Sequence, residues 1–194
     1  MQKMGLQLTP EELYSINNSS LKDAIVGLSE GATPRGFFCT GEIVSQNSLM
    51  FTNHHCGYNA IQKLSTVEHD YLTDGFWAKD FSEELPAEGI SASFLVRMED
   101  VTEQVLSVVN DTMTWAERNA AIAAKSKELE LAASEDGKYN PIISAFFEGN
   151  EYYMFVYRVY TDVRLVGTPP SSIGKFGGDT DNWMWPRHTG DFPI

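Results

Sequence analysis

Phe37-Phe38-Cys39-Thr40-Gly41-Glu42-Ile43-Val44, then Ser45-Gln46-Asn47-Ser48, then Leu49-Met50-Phe51-Thr52 and Asn53-His54-His55-Cys56 is the stretch on which the reading of the fold turns. Two apolar, aromatic and β-branched segments flank a four-residue polar run, which is the pattern of a β-hairpin. The second strand would end at Thr52 and deliver His55 just beyond it. Imidazole titrates near neutrality, so a histidine held rigidly at a strand end can take a proton from a hydroxyl and return it to a leaving group. A neighbouring disulfide is one source of rigidity. Cys39 and Cys56 are the two cysteines of the chain; they read either as one bridge in an oxidising compartment or as two buried free thiols.

The chain has 194 residues, 42% hydrophobic and 12% aromatic, with 14 Lys and Arg against 27 Asp and Glu for a net charge of −13. That composition supports a packed core and argues against disorder. The length suits one ordinary domain, or one large barrel with an insertion, and is short for two complete six-stranded barrels. The acidic balance works against phosphate binding, so nucleic acid is not expected as a partner. Met1-Gln2-Lys3-Met4-Gly5-Leu6 lacks the apolar run of a secretory signal, and nothing downstream approaches a membrane span.

Residues 9–30 read as a helical lead-in, with Thr9 as N-cap, Pro10 at the first helical position and a second short helix carrying Leu21, Ala24 and Ile25. Gly27 to Gly36 reads as a loop. Barrel strands are expected over 37–98, including Ser91 to Met98, with a short helix over Asn59 to Leu64 and an irregular loop over Leu72 to Leu85. From Glu103 to Ala133 the run is rich in Ala, Glu, Lys and Leu without Pro or Gly, and Thr114 with Glu117 forms a capping-box signature. This predicts a helical insertion over 103–133, broken near Asn110-Asp111. Residues 151–191 close the chain with two Tyr- and Val-rich strands up to Val166, a Pro169-Pro170 stop, and a Gly-, Asp- and Trp-rich segment without period.

The histidine pair admits competing chemistries. Zinc takes His and Cys ligands, but three consecutive residues cannot converge on one ion from an extended strand, and no Cys-x-x-Cys or His-Glu-x-x-His spacing occurs. Gly177-Gly178 with Lys175 lacks phosphate-loop spacing. Asp179 and Asp181 alternate as calcium ligands might, without the glycine and glutamate that such a loop requires. Neither a metal nor a cofactor is expected. The closing segment, with Trp183, Trp185, adjacent glycines and three aspartates, suits polar groups fixed against aromatic walls.

Thr52-Asn53-His54-His55-Cys56-Gly57-Tyr58, taken with Gly174-Lys175-Phe176-Gly177-Gly178-Asp179, Asp181-Asn182-Trp183-Met184-Trp185-Pro186-Arg187 and Thr189-Gly190-Asp191, resembles the bacterial dipeptidyl-peptidase 7 and 11 family, from about Leu6 to Asp191. The His-Cys pair is similar to the way chymotrypsin-type barrels present their general base. The resemblance implies a mostly β, chymotrypsin-like (trypsin-like) barrel with a helical insertion, the first and incomplete barrel of a double-barrel serine peptidase. It implies His55 as general base with His54 a structural neighbour, Asp191 as the triad carboxylate, Asn182 and Trp183 at the substrate's terminal amine, and a Cys39–Cys56 disulfide. The implied substrates are peptides with a free N-terminus, cleaved to release dipeptides. A homodimer and a periplasmic or secreted, cell-surface location are implied for the whole protein. The family's serine sits in a Gly-Asn-Ser-Gly turn that these residues lack, so the chain by itself is expected to be an N-terminal fragment inactive in hydrolysis. The alternative is a non-catalytic trypsin-like binding or scaffold module. Residue preference before the scissile bond is expected to lie outside this stretch.

Overall fold

The computed structural model describes residues 2–174. In chain order the helices are α1 (Pro10–Leu13), α2 (His54–Leu64), α3 (Tyr71–Asp74), α4 (Thr102–Leu106), α5 (Trp115–Ala133) and α6 (Ser171–Gly174). The strands are β1 (Ile25–Glu30), β2 (Cys39–Ile43), β3 (Met50–Thr52), β4 (Phe76–Trp77), β5 (Leu85–Pro86), β6 (Ile90–Asp100), β7 (Asn140–Phe146), β8 (Glu151–Tyr160), β9 (Arg164–Leu165) and β10 (Gly167–Thr168). The architecture is mixed helix and strand, dominated by a six-stranded antiparallel sheet in the order β3-β2-β1-β6-β8-β7. Two compact units divide the described chain, one of residues 2–23 and 93–159, the other of residues 24–92 and 160–174.

In the first unit, α1 begins as its sequence dictates. Thr9 caps it in extended backbone, its hydroxyl accepting from the Glu12 amide while Glu12 accepts from the Thr9 amide at 2.8 Å. The same reciprocal cap, Thr114 with Glu117, starts the 19-residue α5. The helices expected over 103–133 are therefore present as α4 and α5, with a break over 107–114. These helices pack on β8, where Val101, Val105, Ile122, Tyr152, Met154 and Val156 form one buried cluster. Sequence reading assigned nothing to β7, whose Pro141 interrupts the pattern. The last place in the sheet order explains the tolerance, since an edge strand can leave a missing N–H facing away from the ladder.

The caps carry a pH signature. The Thr9 and Thr114 backbone amides, and then the hydroxyls of the same residues, hold Glu12 and Glu117 below the ordinary carboxyl value of 4.5. A carboxyl depressed on folding contributes stability that is complete above its ordinary value and fades as pH falls below it. Helicity followed by circular dichroism from neutrality down through 4.5 should therefore fall, and Thr114→Ala should flatten that part of the titration attributable to α5. An unchanged profile in the variant would remove the cap from the explanation.

Beyond α1 the helical lead-in is corrected. Residues 21–24 make a single 3-10 turn, and residues 25–30, expected as helix and loop, are β1. Ile25-Val26-Gly27-Leu28 alternates with period two, and Val26 and Leu28 are buried. Gly27 is not a turn glycine: a Cβ there would meet the Phe37 ring at 2.6 Å. β1 pairs with β2 (Ile25↔Glu42, Leu28↔Cys39), and β2 with β3 (Gly41↔Thr52, Ile43↔Met50), so the predicted hairpin is present. Its turn is closed by Val44 N–H to Leu49 at 2.9 Å and by the Ser45 hydroxyl, which accepts from the Asn47 and Leu49 amides. Gly41 leaves no room for a side chain, because a Cβ would lie 2.9 Å from the Phe51 carbonyl oxygen. The stretch expected as an irregular loop over 72–85 instead holds α3 and two short ribbons, β4 with β10 and β5 with β9.

Candidate active site

The hairpin ends where helix α2 begins, and the junction sets the histidines. Asn53 occupies the N-cap position in extended backbone (φ −76°, ψ 148°), its carbonyl accepting from the Cys56 amide at 2.9 Å. The sequence predicted a helix only from Asn59; it begins five residues earlier, at His54. Propensity does not explain this, since His, Gly, Tyr and Asn are poor helix formers. Burial does: His54, Gly57 and Ile61 recur at i, i+3 and i+7 and are all buried, placing one face of the helix inward. His54 is 2% exposed and packs edge-to-face on Tyr58, with ring centroids 6.2 Å apart, one turn along the same helix.

His55, on the next position, faces outward and is exposed. Its Nε2 lies 3.5 Å from Cys56 Sγ and 3.8 Å from Cys39 Sγ. Cys39 and Cys56 are joined as a disulfide with Cα atoms 5.9 Å apart, so the first turn of α2 is bonded covalently to the start of β2. This settles the two readings of the cysteines in favour of the bridge. Beside it, the Thr52 hydroxyl donates to the Thr40 carbonyl at 2.7 Å and ties β3 to β2 immediately before the helix. The imidazole therefore sits on a platform fixed by a hairpin, a helix start and a covalent bond.

The sulfurs and the imidazole lie within 4.8 Å of one another, which is a metal-ligand constellation by distance alone. His55 and Cys56 lie in a helix and not in the extended strand expected from sequence, and the third group, Cys39, comes from β2. What removes the thiolates as ligands is the bond between the sulfurs. Of the other residues singled out from sequence, Asp191, Asn182 and Trp183 lie outside the described residues, as does nearly all of the Gly-, Asp- and Trp-rich stretch. Sequence reading missed the Thr52–Thr40 brace and the His54–Tyr58 packing. The i, i+4 spacing of His54 and Tyr58 was a usable signal once the helix start was known.

Known proteins bear on the whole chain. The peptidase S46 family model matches residues 1–194. Dipeptidyl-peptidase 7 of Capnocytophaga gingivalis is 56% identical over 194 residues, covering all of this chain and 26% of that protein. An Asp/Glu-specific dipeptidyl-peptidase of Flavobacterium psychrophilum is 46% identical over the same length, again 26% of its own. A crystal structure of Porphyromonas endodontalis DPP11 in complex with the dipeptide Arg-Asp matches with a TM-score of 0.80 at 44% identity, covering 99% of this chain and 27% of that one. The chain thus spans about a quarter of the length of the relatives it matches. With a match that runs from the first residue to the last, and with the His-His-Cys junction built as a rigid platform, the chain belongs to the peptidase S46 family.

Proposed function

We propose that the chain is the N-terminal part of a serine-type dipeptidyl-peptidase, contributing the first chymotrypsin-like barrel with its helical insertion. The observation that carries this reading is His55: exposed, adjacent to a buried histidine, and seated against a disulfide that fixes its backbone. In this reading His55 takes the proton of a serine supplied from outside these 194 residues and delivers it to the departing amine. Asp191 accepts the other imidazole N–H and stabilises the imidazolium. Asn182 and Trp183 seat the substrate's free ammonium, offering an acceptor and an aromatic wall to a group that must shed water on binding. Cleavage two residues from that anchor yields dipeptides. Without the serine these residues do not hydrolyse peptides by this route.

The disulfide fits an oxidising compartment, and we place the whole protein in the periplasm or at the cell surface, with a homodimer as the proposed assembly. Among the described residues no helix is long and apolar enough to cross a membrane. The reading is tested on the full-length protein with a dipeptidyl fluorophore and its N-acetylated counterpart. Release from the free-amine substrate and at least a hundredfold loss on acetylation is the expected result. Equal cleavage of both would remove the amine anchor and with it the exopeptidase assignment.

A further inference from the structure

The chain carries 14 Lys and Arg against 27 Asp and Glu, yet three of its cations gather on one phenol. Lys138 Nζ lies 4.7 Å from the centroid of the Tyr139 ring, and the guanidinium carbons of Arg158 and Arg97 lie 5.4 Å and 5.7 Å from it. Each cation comes from a different segment. Arg97 stands on β6 and Arg158 on β8, while Tyr139 immediately precedes β7; the register Asn140↔Tyr157, carried back one residue, sets Tyr139 opposite Arg158. Lys138 is delivered by a strained turn. Glu135, Asp136 and Gly137 are all left-handed, at φ 48°, 57° and 86°, a conformation that residues other than glycine rarely adopt. The Tyr139 amide closes the turn on the Ser134 carbonyl at 3.0 Å, and the Lys138 amide donates to the Glu135 carbonyl at 3.2 Å. All of these residues belong to the first compact unit.

Two carboxylates anchor these cations. Glu135 accepts from Lys138 Nζ at 3.2 Å and lies 4.0 Å from Arg97, and Glu99 accepts from Arg97 Nε. Lys138, through a hydrogen bond first and its charge later, and then Arg158 hold the Tyr139 phenol below its ordinary value of 10.0, against desolvation and the Glu135 charge. The same contact raises Lys138 above its ordinary value, so its nitrogen stays an ammonium and does not compete as a nucleophile. We propose that Tyr139, set among Lys138, Arg158 and Arg97, is a nucleophilic modification site for hard sulfur(VI) electrophiles that carry negative charge, the anionic aryl sulfonyl fluorides foremost. The phenol oxygen attacks sulfur, the O–S bond forms as the S–F bond breaks, fluoride leaves with the electron pair, and the phenolic proton passes to buffer. No oxidant or reductant takes part. The cations act twice, favouring the ionised oxygen that attacks and drawing in an anionic reagent whose sulfonyl oxygens gain charge as the bond forms.

The site is independent of the peptidase reading. The test treats full-length protein with para-(fluorosulfonyl)benzoate and follows adducts peptide by peptide by mass spectrometry. Tyr14 is the internal reference, because it is 64% exposed while Tyr139 is half-buried, so accessibility alone favours Tyr14. Tyr139 should nevertheless be sulfonylated at least about tenfold faster, the gain in phenolate that one unit of acidity brings at fixed pH. Lys138→Met should remove about that factor, and Lys138→Arg, which keeps the cation, should retain it. Lys138 is exposed, so both substitutions leave the buried cluster untouched. Tyr139→Phe should lose the adduct. The cationic para-(aminoethyl)benzenesulfonyl fluoride, with the same reacting group, should label Tyr139 more slowly than the anionic reagent. Labelling of Tyr139 no faster than Tyr14, an undiminished rate in Lys138→Met, or a preference for the cationic reagent overturns the proposal. A sulfonyl adduct on the serine that the peptidase reading places outside these residues would fall on a different peptide. Loss of dipeptide release and labelling of Tyr139 therefore report on the two readings separately.

Discussion

Replacing His55 by alanine in the full-length protein should lower kcat/KM for a dipeptidyl fluorophore by roughly 10^4- to 10^6-fold, the range seen when the base of a triad is removed. That loss corresponds to about 5–8 kcal/mol of transition-state stabilisation. The size follows from the role proposed for His55, a base that acts twice, in taking the nucleophile's proton and in protonating the leaving amine. His54 is the internal control. It is 2% exposed and packed on Tyr58, so His54→Ala should act through the fold, lowering the unfolding midpoint while the folded fraction retains its kcat. Loss of activity in His54→Ala with retention in His55→Ala would reverse the assignment. Retention in both would remove the base from this junction altogether.

The second large effect is thermodynamic. Cys39→Ser with Cys56→Ser removes a bridge between residues 17 apart in sequence, a loop length for which the unfolded chain regains about 3 kcal/mol of conformational freedom. Denaturant unfolding of the double variant should show a lower midpoint at unchanged slope. The cost should also appear in kinetics. With the covalent link gone, the first turn of α2 rests on the Thr52–Thr40 hydrogen bond and the Asn53 carbonyl, so kcat should fall while KM holds. An unchanged midpoint would mean that the hairpin and the buried stripe of His54, Gly57 and Ile61 hold the junction unaided.

Local signals in the sequence were the readable ones. Thr9-Pro10 with Glu12 and Thr114 with Glu117 announced their helices because a cap is specified by residues three apart. The β2–β3 hairpin was legible from its apolar segments and polar turn. The strand β1 was misread because Gly27 looks like a turn residue; its actual reason is the Phe37 ring lying over it, a contact ten positions away that no local rule contains. Likewise, α2 began earlier than propensity allows because tertiary burial outweighed it, and β7 was obscured by Pro141, which is harmless only at the end of the sheet order. At the candidate site, the Cys39–Cys56 pairing was legible, and His55 was legible as the exposed neighbour of Cys56. The 3.5 Å and 3.8 Å contacts that make them one cluster were not, since they depend on the helical turn.

The hairpin has a consequence for the order in which the molecule is made. β2, its turn, β3, the Asn53 cap, α2 and both sulfurs fall within residues 39–64, so the disulfide and the Thr52–Thr40 hydrogen bond at the His55 junction both link residues close in sequence. Short loops close in well under a microsecond and hairpins within microseconds, far faster than a ribosome adds one residue. The hairpin and its disulfide can therefore close while the sheet partners β6, β7 and β8 are still unmade, leaving the burial of His54, Gly57 and Ile61 to be completed by chain that arrives later.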